Sequence, residues 1–149
     1  MLIRKFQVAR RRGAVAVETA LVLLTVLMFI FGIFEYGRLL LDWNLLNNAA
    51  RAGCRFALAN NTSSTINTQV QGIVTSMMAG RTSSFTNFTV TVTGTHQGTS
   101  TPVNSLIAGD LVTVTVSGTY KFMNIVPVVR MPATYSLTSA VVMVCEGGT

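Results

Sequence analysis

The sequence holds few of the residues that catalyse reactions: among its 149 residues there are five acids, two cysteines and one histidine. It contains no CxxC, HExxH or GxSxG motif and no phosphate-binding glycine loop. The histidine, His96, lies beside Gln97 and Gly98 where a predicted strand ends, and we expect it to be a solvated turn residue. This scarcity argues against a hydrolase, so we expect no enzymatic activity, metal, cofactor or small-molecule substrate.

Because acids are scarce, the chain has a net charge of +6. A basic chain suggests a nucleic-acid partner, but the distribution of the charge argues against one. Five of the eleven basic residues precede residue 13 and three follow residue 56, with no basic stripe between aromatic residues. We expect no nucleic-acid partner, and the N-terminal cluster instead predicts a cytoplasmic N-terminus by the positive-inside rule.

No proline interrupts residues 14–58, and residues 19–34 carry no charge. A helix of roughly 20 apolar residues crosses a bilayer core of about 30 Å. The apolar run is longer than the roughly 7–15 residues of a signal-peptide core, and no A-x-A-like cleavage site follows it. We therefore predict a basic leader over residues 1–13 and a retained transmembrane helix over residues 14–43.

Residues 44–149 are predicted to form an extracytoplasmic head that includes the second half of the long helix. That half is amphipathic, since Asn44, Asn48, Arg51 and Arg55 share one face of a helical wheel. The apolar face on the other side carries Leu45, Leu46, Ala49, Gly53, Phe56 and Ala57. Its small residues could pack between subunits or under the chain's own sheet, and for Gly53 the second is favoured.

The rest of the head is predicted to be a short helix followed by strands. Helical spacing of apolar residues predicts a helix over residues 68–80, which ends at Gly80. Three segments beyond it, around 88–93, 111–122 and 134–145, alternate apolar and polar residues with a period of two. We predict an α+β fold in which an antiparallel sheet packs on the second half of a long N-terminal helix.

A candidate processing and assembly site lies where the apolar helix begins. Gly13 follows three arginines at the predicted cytoplasmic boundary, and cleavage after it would make Ala14 the new N-terminus with Glu18 one helical turn away. A carboxylate near a helix N-terminus is favoured by the helix dipole, and in an apolar bundle it could pair with the amine of a neighbouring subunit. Alternatively, Glu18 reaches the membrane interface of an anchor that is never cleaved.

A second group of charges lies near the predicted membrane exit. Glu35, Arg38 and Asp42 are spaced by three and four residues, so Arg38 could bridge both acids in a ladder along one helix face. The same charges are also what any helix carries where it leaves the bilayer.

The two cysteines, Cys54 and Cys145, are predicted to form one disulfide. In the extracytoplasmic topology both would lie in an oxidising compartment, and an even count permits a bridge. Cys145 is in phase with the apolar face of the last strand, and Cys54 lies at the edge of the apolar helix face. The alternative is a pair of buried free thiols.

Residues 11–57 resemble the TadE-like proteins, the minor pseudopilins of tight-adherence (Tad/Flp) type IV pili. The residues that carry the resemblance are Arg11, Arg12, Gly13, Glu18, Glu35, Tyr36, Gly37, Arg38, Ala49, Ala50, Arg51, Gly53 and Arg55. One residue departs from the pattern: Thr19 follows Glu18 where the family usually has a bulky residue.

The resemblance implies cleavage between Gly13 and Ala14 by a prepilin peptidase. It also implies a mature protein in the bacterial inner membrane, with its head in the periplasm. The implied partners are other pilin or pseudopilin subunits and the pilus assembly platform, and the implied role is assembly of an adhesive pilus. The alternative is an uncleaved, membrane-anchored periplasmic adaptor or sensor domain.

Overall fold

The computed structural model describes residues 3–78, 80–122 and 134–146. These residues form two α-helices and four strands: α1 (Ile3–Ala59), α2 (Ile66–Met77), β1 (Phe85–His96), β2 (Thr99–Thr101), β3 (Leu111–Lys121) and β4 (Thr134–Val144). The chain divides into two units, Met1–Arg38 and Leu39–Thr149, and α1 contributes to both. The side chains of residues 1–12 lie outside the described residues. The segment 123–133, which the sequence predicts to be a proline-containing turn between the last two strands, also lies outside them.

The first unit is helical throughout its described length. α1 begins at Ile3, well before the predicted start at residue 14, and continues without a break as far as Ala59. The absence of proline allows this length. The threonine hydroxyls in the apolar stretch are satisfied inside the helix, since Thr19 donates to the Val15 carbonyl at 2.8 Å and Thr25 to the Leu21 carbonyl at 3.1 Å.

The second unit contains one antiparallel sheet with the strand order β2-β1-β3-β4. This confirms the predicted α+β fold. β3 lies between its two long neighbours and pairs with β4 without interruption from Leu111↔Val144 to Lys121↔Thr134. The short strand β2 was not predicted. It pairs with the end of β1 across a tight turn at Gln97 and Gly98, where both residues have positive φ as in a type I′ hairpin.

The core of this unit lies between the sheet and the two helices. The central strand shows the predicted alternation most clearly, because Val112, Val114, Val116 and Tyr120 are all fully buried. The helix side chains of the core are Leu46, Ala49, Ala50, Cys54 and Ala57 from α1 and Ile66, Val70 and Val74 from α2. The four polar positions of the α1 wheel are exposed, as predicted.

Two details differ from the sequence-based expectation. α2 ends at Met77, and Gly80 instead stands before a 3-10 turn, Arg81–Ser84, with a φ of 78° that suits glycine. Tyr135 shares the odd-numbered phase of Leu137, Val141 and Met143 in the last strand, which predicts a buried side chain, but it is 46% exposed. Tyr135 lies near the Thr134 end of β4, and β4 is an edge strand with a neighbouring strand on one side only.

Gly53 is a residue at which α1 lies close against α2. A Cβ atom added there would lie 2.8 Å from Val74 Cγ2 and 3.1 Å from Val70 Cγ1. The contact is within the chain, as the sequence favoured, and α2 supplies more of it than the sheet does: the nearest β3 atom, on Val114, is 3.5 Å away.

We predict that Gly53→Ala destabilises the second unit by about 1–3 kcal/mol, because the methyl group overpacks a filled helix contact. Gly72→Ala is the matched control, since Gly72 lies inside α2 with no atom within 4 Å of the added Cβ. That change should raise stability by roughly 0.4–1 kcal/mol. Urea unfolding of the full chain in detergent measures both, and equal effects of the two substitutions would contradict the packing described.

Candidate assembly segment

The predicted processing site lies on a helical, exposed stretch of α1. Gly13, Ala14 and Glu18 are all in α1, and all three are exposed. Within the described part of the chain, Glu18 has no hydrogen-bond or ion-pair partner. The carboxylate therefore stands free on the side of an apolar helix, where it can accept a partner that another molecule supplies.

The apolar stretch that follows Glu18 is uncovered. Across residues 13–34 no side chain is buried, and the large apolar residues that exceed 60% exposure are Val15, Val17, Leu21, Phe29, Ile33 and Phe34. α1 is long and apolar enough to cross a membrane. Such a surface is stable only in lipid or against other apolar helices.

The predicted charge ladder is formed only in its first half. Arg38 Nη1 donates to Glu35 Oε2 at 3.0 Å, the i,i+3 pair that the spacing predicted. Asp42 does not complete the ladder. Its carboxylate is fully buried and pairs with Arg81, which comes from the 3-10 turn after α2.

The Asp42–Arg81 pair joins two segments of the second unit that are 39 residues apart in sequence. Arg81 Nε donates to Asp42 Oδ1 at 2.5 Å, and this hydrogen bond, opposed by partial burial, raises the pKa of Arg81. Asp42 Oδ2 is buried and, among the described residues, has no hydrogen-bond partner. Sequence reasoning missed this pair because nothing local to either residue indicates the other.

An aromatic cluster lies at the end of the sheet where β1 follows the 3-10 turn that contains Arg81. Tyr120 on β3 is fully buried and packs edge-on against Phe85, with centroids 6.1 Å apart, and against Phe122, at 5.2 Å. Edge-to-face geometry is the favoured arrangement of aromatic rings.

His96 has a partner, contrary to the expectation of a solvated turn residue. Its Nδ1 lies 2.6 Å from Asp110 Oδ1, and Asp110 Oδ2 accepts a hydrogen bond from the backbone N–H of Ile107 at 2.9 Å. The Ile107 bond first, and the His96 contact second, lower the pKa of Asp110, although burial opposes them. The His96–Asp110 pair links the end of β1 to the turn that precedes β3, which indicates a structural role for both residues.

Both cysteines are buried free thiols. Cys54 Sγ lies 3.5 Å from the Val112 carbonyl oxygen and 3.8 Å from that of Val141, and burial raises the pKa of this thiol. Cys145 Sγ instead accepts a hydrogen bond from Asn61 Nδ2 at 3.4 Å. A disulfide requires the sulfurs to approach to about 2.05 Å, so both would have to leave these partners. The Cys54–Cys145 bridge stays a prediction, which thiol mapping without reductant tests.

Residues 13–55 match the TadE-like protein family. The matched segment begins at Gly13, includes Glu18 and the Glu35–Arg38 pair, and ends after Cys54, where α1 is already part of the core. No curated protein and no solved structure matches the chain.

The segment that matches the TadE-like family thus contains both kinds of surface found on α1. Its first part is exposed and apolar, and its last part, with Leu46, Ala49, Ala50 and Gly53, packs against α2 and the sheet. Beyond residue 55 the family match gives no guide, and the described arrangement of the head rests on the structure alone. In the described residues, no group of three histidine, cysteine or acidic side chains could hold a metal ion.

We predict that Arg81→Met lowers the free energy of unfolding by about 1–3 kcal/mol. Leaving a buried carboxylate unpaired costs roughly 3–5 kcal/mol, and water near the partly exposed Arg81 reduces that cost. Arg55→Met is the control, since Arg55 is an exposed arginine of α1.

The double variant Asp42→Leu/Arg81→Met should be more stable than the sum of the two single changes predicts, because it leaves no charge buried. Denaturant unfolding of the four proteins completes the cycle. Additive effects would mean that the two side chains do not depend on each other.

Proposed function

We propose that this protein is a minor pilin or pseudopilin that takes part in assembling a tight-adherence (Tad/Flp) type IV pilus. Its N-terminal helix anchors it in the bacterial inner membrane as a single span, with the N-terminus cytoplasmic and the head periplasmic. Its partners are a prepilin peptidase, other pilin or pseudopilin subunits and the pilus assembly platform. The protein acts by packing against these partners, and no catalysis is assigned to it.

The observation that carries the proposal is the TadE-like match over residues 13–55. Two features of that segment support it. The helix presents an uncovered apolar surface long enough to span a membrane. The surface carries one acid, Glu18, at its N-terminal end, without a partner among the described residues.

Glu18 is the residue to which we assign the assembly contact. An acid at the centre of a membrane helix costs about 2.5–3.5 kcal/mol on insertion scales. An acid in such a segment therefore indicates a functional contact. Cleavage after Gly13 would create an ammonium group on Ala14. The Glu18 carboxylate of one subunit could then pair with the Ala14 amine of the next, and the low dielectric of an apolar bundle would strengthen that pair.

We predict that protein isolated from a host with an active prepilin peptidase begins at Ala14. Intact-mass analysis of the purified protein, with peptide mapping of its N-terminus, measures this directly. Gly13→Arg, which removes the small residue before the cleaved bond, is the comparison and should accumulate with its leader attached. An intact Met1 terminus in the unaltered protein would favour the alternative, an uncleaved membrane-anchored adaptor or sensor.

We predict that Glu18→Gln leaves the amount of membrane-inserted protein unchanged and lowers the number of pili per cell at least tenfold. The change removes one charge from an apolar helix, which makes insertion easier and not harder. Glu18→Asp should restore part of the pilus assembly because it restores the carboxylate.

Thr25→Ala is the control for Glu18→Gln. It lies two turns further along the same uncovered surface, and its hydroxyl is bonded only to its own helix, at Leu21. Unchanged numbers of pili in Glu18→Gln cells, with normal protein levels, would limit Glu18 to the interface role of an ordinary anchor.

A further inference from the structure

The outer edge of β4 is the feature of the head that the proposed function does not use. β4 is the last strand in the order β2-β1-β3-β4, and it is eleven residues long. Among the described residues no strand pairs with its outer side. On the opposite edge, β2 covers only the last three residues of β1. The rest of β1 is irregular between Thr86 and Thr89, and Gln71 of α2 donates to the Val90 carbonyl, so this edge is less regular than that of β4.

β4 has none of the features that normally protect an edge strand. Proteins block long edges with charged side chains, proline or bulges. The segment Thr134–Val144 has no charged residue and no proline, and its pairing with β3 runs through eleven residues without a bulge. An edge of this kind is suited to pairing with another strand.

The groups that face outward can be identified from the hydrogen bonds at the end of the strand. The backbone N–H of Cys145 donates to the Asp110 carbonyl at 2.7 Å, so position 145 faces β3. Since bonding positions alternate along an antiparallel strand, the odd-numbered residues of β4 bond β3. The N–H and C=O groups of Ala140, Val142 and Val144 therefore point to the open edge.

The side chains of the same residues contribute to an exposed apolar patch on the face of the sheet that points away from α1. Val142 and Val144 are 55% and 51% exposed, and Leu111, which pairs with Val144 across the strands, is also exposed. Ile107, in the turn before β3, is exposed as well. Apolar side chains thus flank the open backbone groups at this end of the strand.

We propose that β4 pairs antiparallel with β4 of a second copy of this chain, about a two-fold axis at Val142. In that register Val142 stands opposite Val142, and Ala140 stands opposite Val144 of the other copy. Each of these pairs exchanges two backbone hydrogen bonds. Every cross-strand pair on the exposed face between residues 140 and 144 is then apolar, which stabilises antiparallel strands.

The absence of charge on β4 suits a contact between two copies of the same basic head. Residues 39–149 contain five basic and three acidic residues, so two heads repel each other. The β4 edge places no like charges opposite one another, because the strand has no charge at all.

The expected size of the contact indicates a weak pairing. An edge contact between two strands is smaller than the roughly 800 Å² per partner of a standard stable interface. The pairing should therefore form where the chains are concentrated in a membrane and dissociate in dilute detergent.

Disulfide cross-linking of full-length variants with one added cysteine, in membranes, tests the register. In Val142→Cys the two new cysteines would lie on opposite residues, with Cα atoms about 5.5 Å apart, inside the roughly 4.4–6.8 Å range of a disulfide. Mild oxidation should convert it to a dimer at least fivefold more than Ala140→Cys, whose two cysteines would be about 13 Å apart along the strands. Ala140→Cys mixed with Val144→Cys should cross-link again. The unaltered protein, with its two buried cysteines, gives the background.

Each result decides the proposal without reference to pilus assembly. Strong cross-linking of Val142→Cys and of the mixed pair, with little in Ala140→Cys alone, supports the two-fold register. Equal yields at positions 140 and 142 would show random collision. A monomeric Val142→Cys, or one cross-linked only to a different polypeptide, would overturn pairing with a second copy. Pili are not needed for any of these measurements, so the cross-linking result can be interpreted even if the proposed function is wrong.

Discussion

The head depends on one packing contact, in which a face of small residues on α1 lies against α2 and the sheet. Ala49, Ala50 and Ala57 are fully buried, and Gly53 lets the side chains of Val70 and Val74 approach the helix backbone. Small side chains let the elements come close, so that the valines of β3 fill the space between them. Without this helix face the sheet would expose Val112, Val114 and Val116 to water, and a sheet of this size needs such a cover to be stable.

This contact explains how one continuous helix can be stable in two different environments. Along residues 14–34 its side chains are large, apolar and exposed, which suits lipid or other helices. From residue 46 onward the buried side chains are mostly small and the exposed ones are polar, which suits a protein core with water on the other side. The charged residues Glu35, Arg38 and Asp42 lie between these two stretches, and Asp42 forms its ion pair with Arg81.

Much of this arrangement could be predicted from the sequence because it follows from periodicity. The period of two in β3 and the polar stripe at Asn44, Asn48 and Arg51 are local signals, and the structure confirms both. The resemblance of the N-terminal third to TadE-like proteins was also readable, since it rests on residues close together in the chain.

The rest could not be predicted, because it depends on contacts between distant residues. Asp42 looked like part of a local ladder, and only the fold brings Arg81 to it. His96 looked like a turn residue until the fold placed it beside Asp110. The strand β2 is too short for its own periodic signal, and Tyr135 has the phase of a core residue at a strand end that remains exposed.

Hydrogen exchange of the backbone amides in the full chain tests the central claim, that the second part of α1 is the core of the head. If it is, amides of residues 46–57 should exchange as slowly as those of β3, because both open only when the whole unit unfolds. The amides of Thr99–Thr101 in the short strand β2 should exchange faster and serve as an internal reference. Fast exchange across residues 46–57, with β3 still protected, would contradict the claim and would mean that the sheet is stable without the helix.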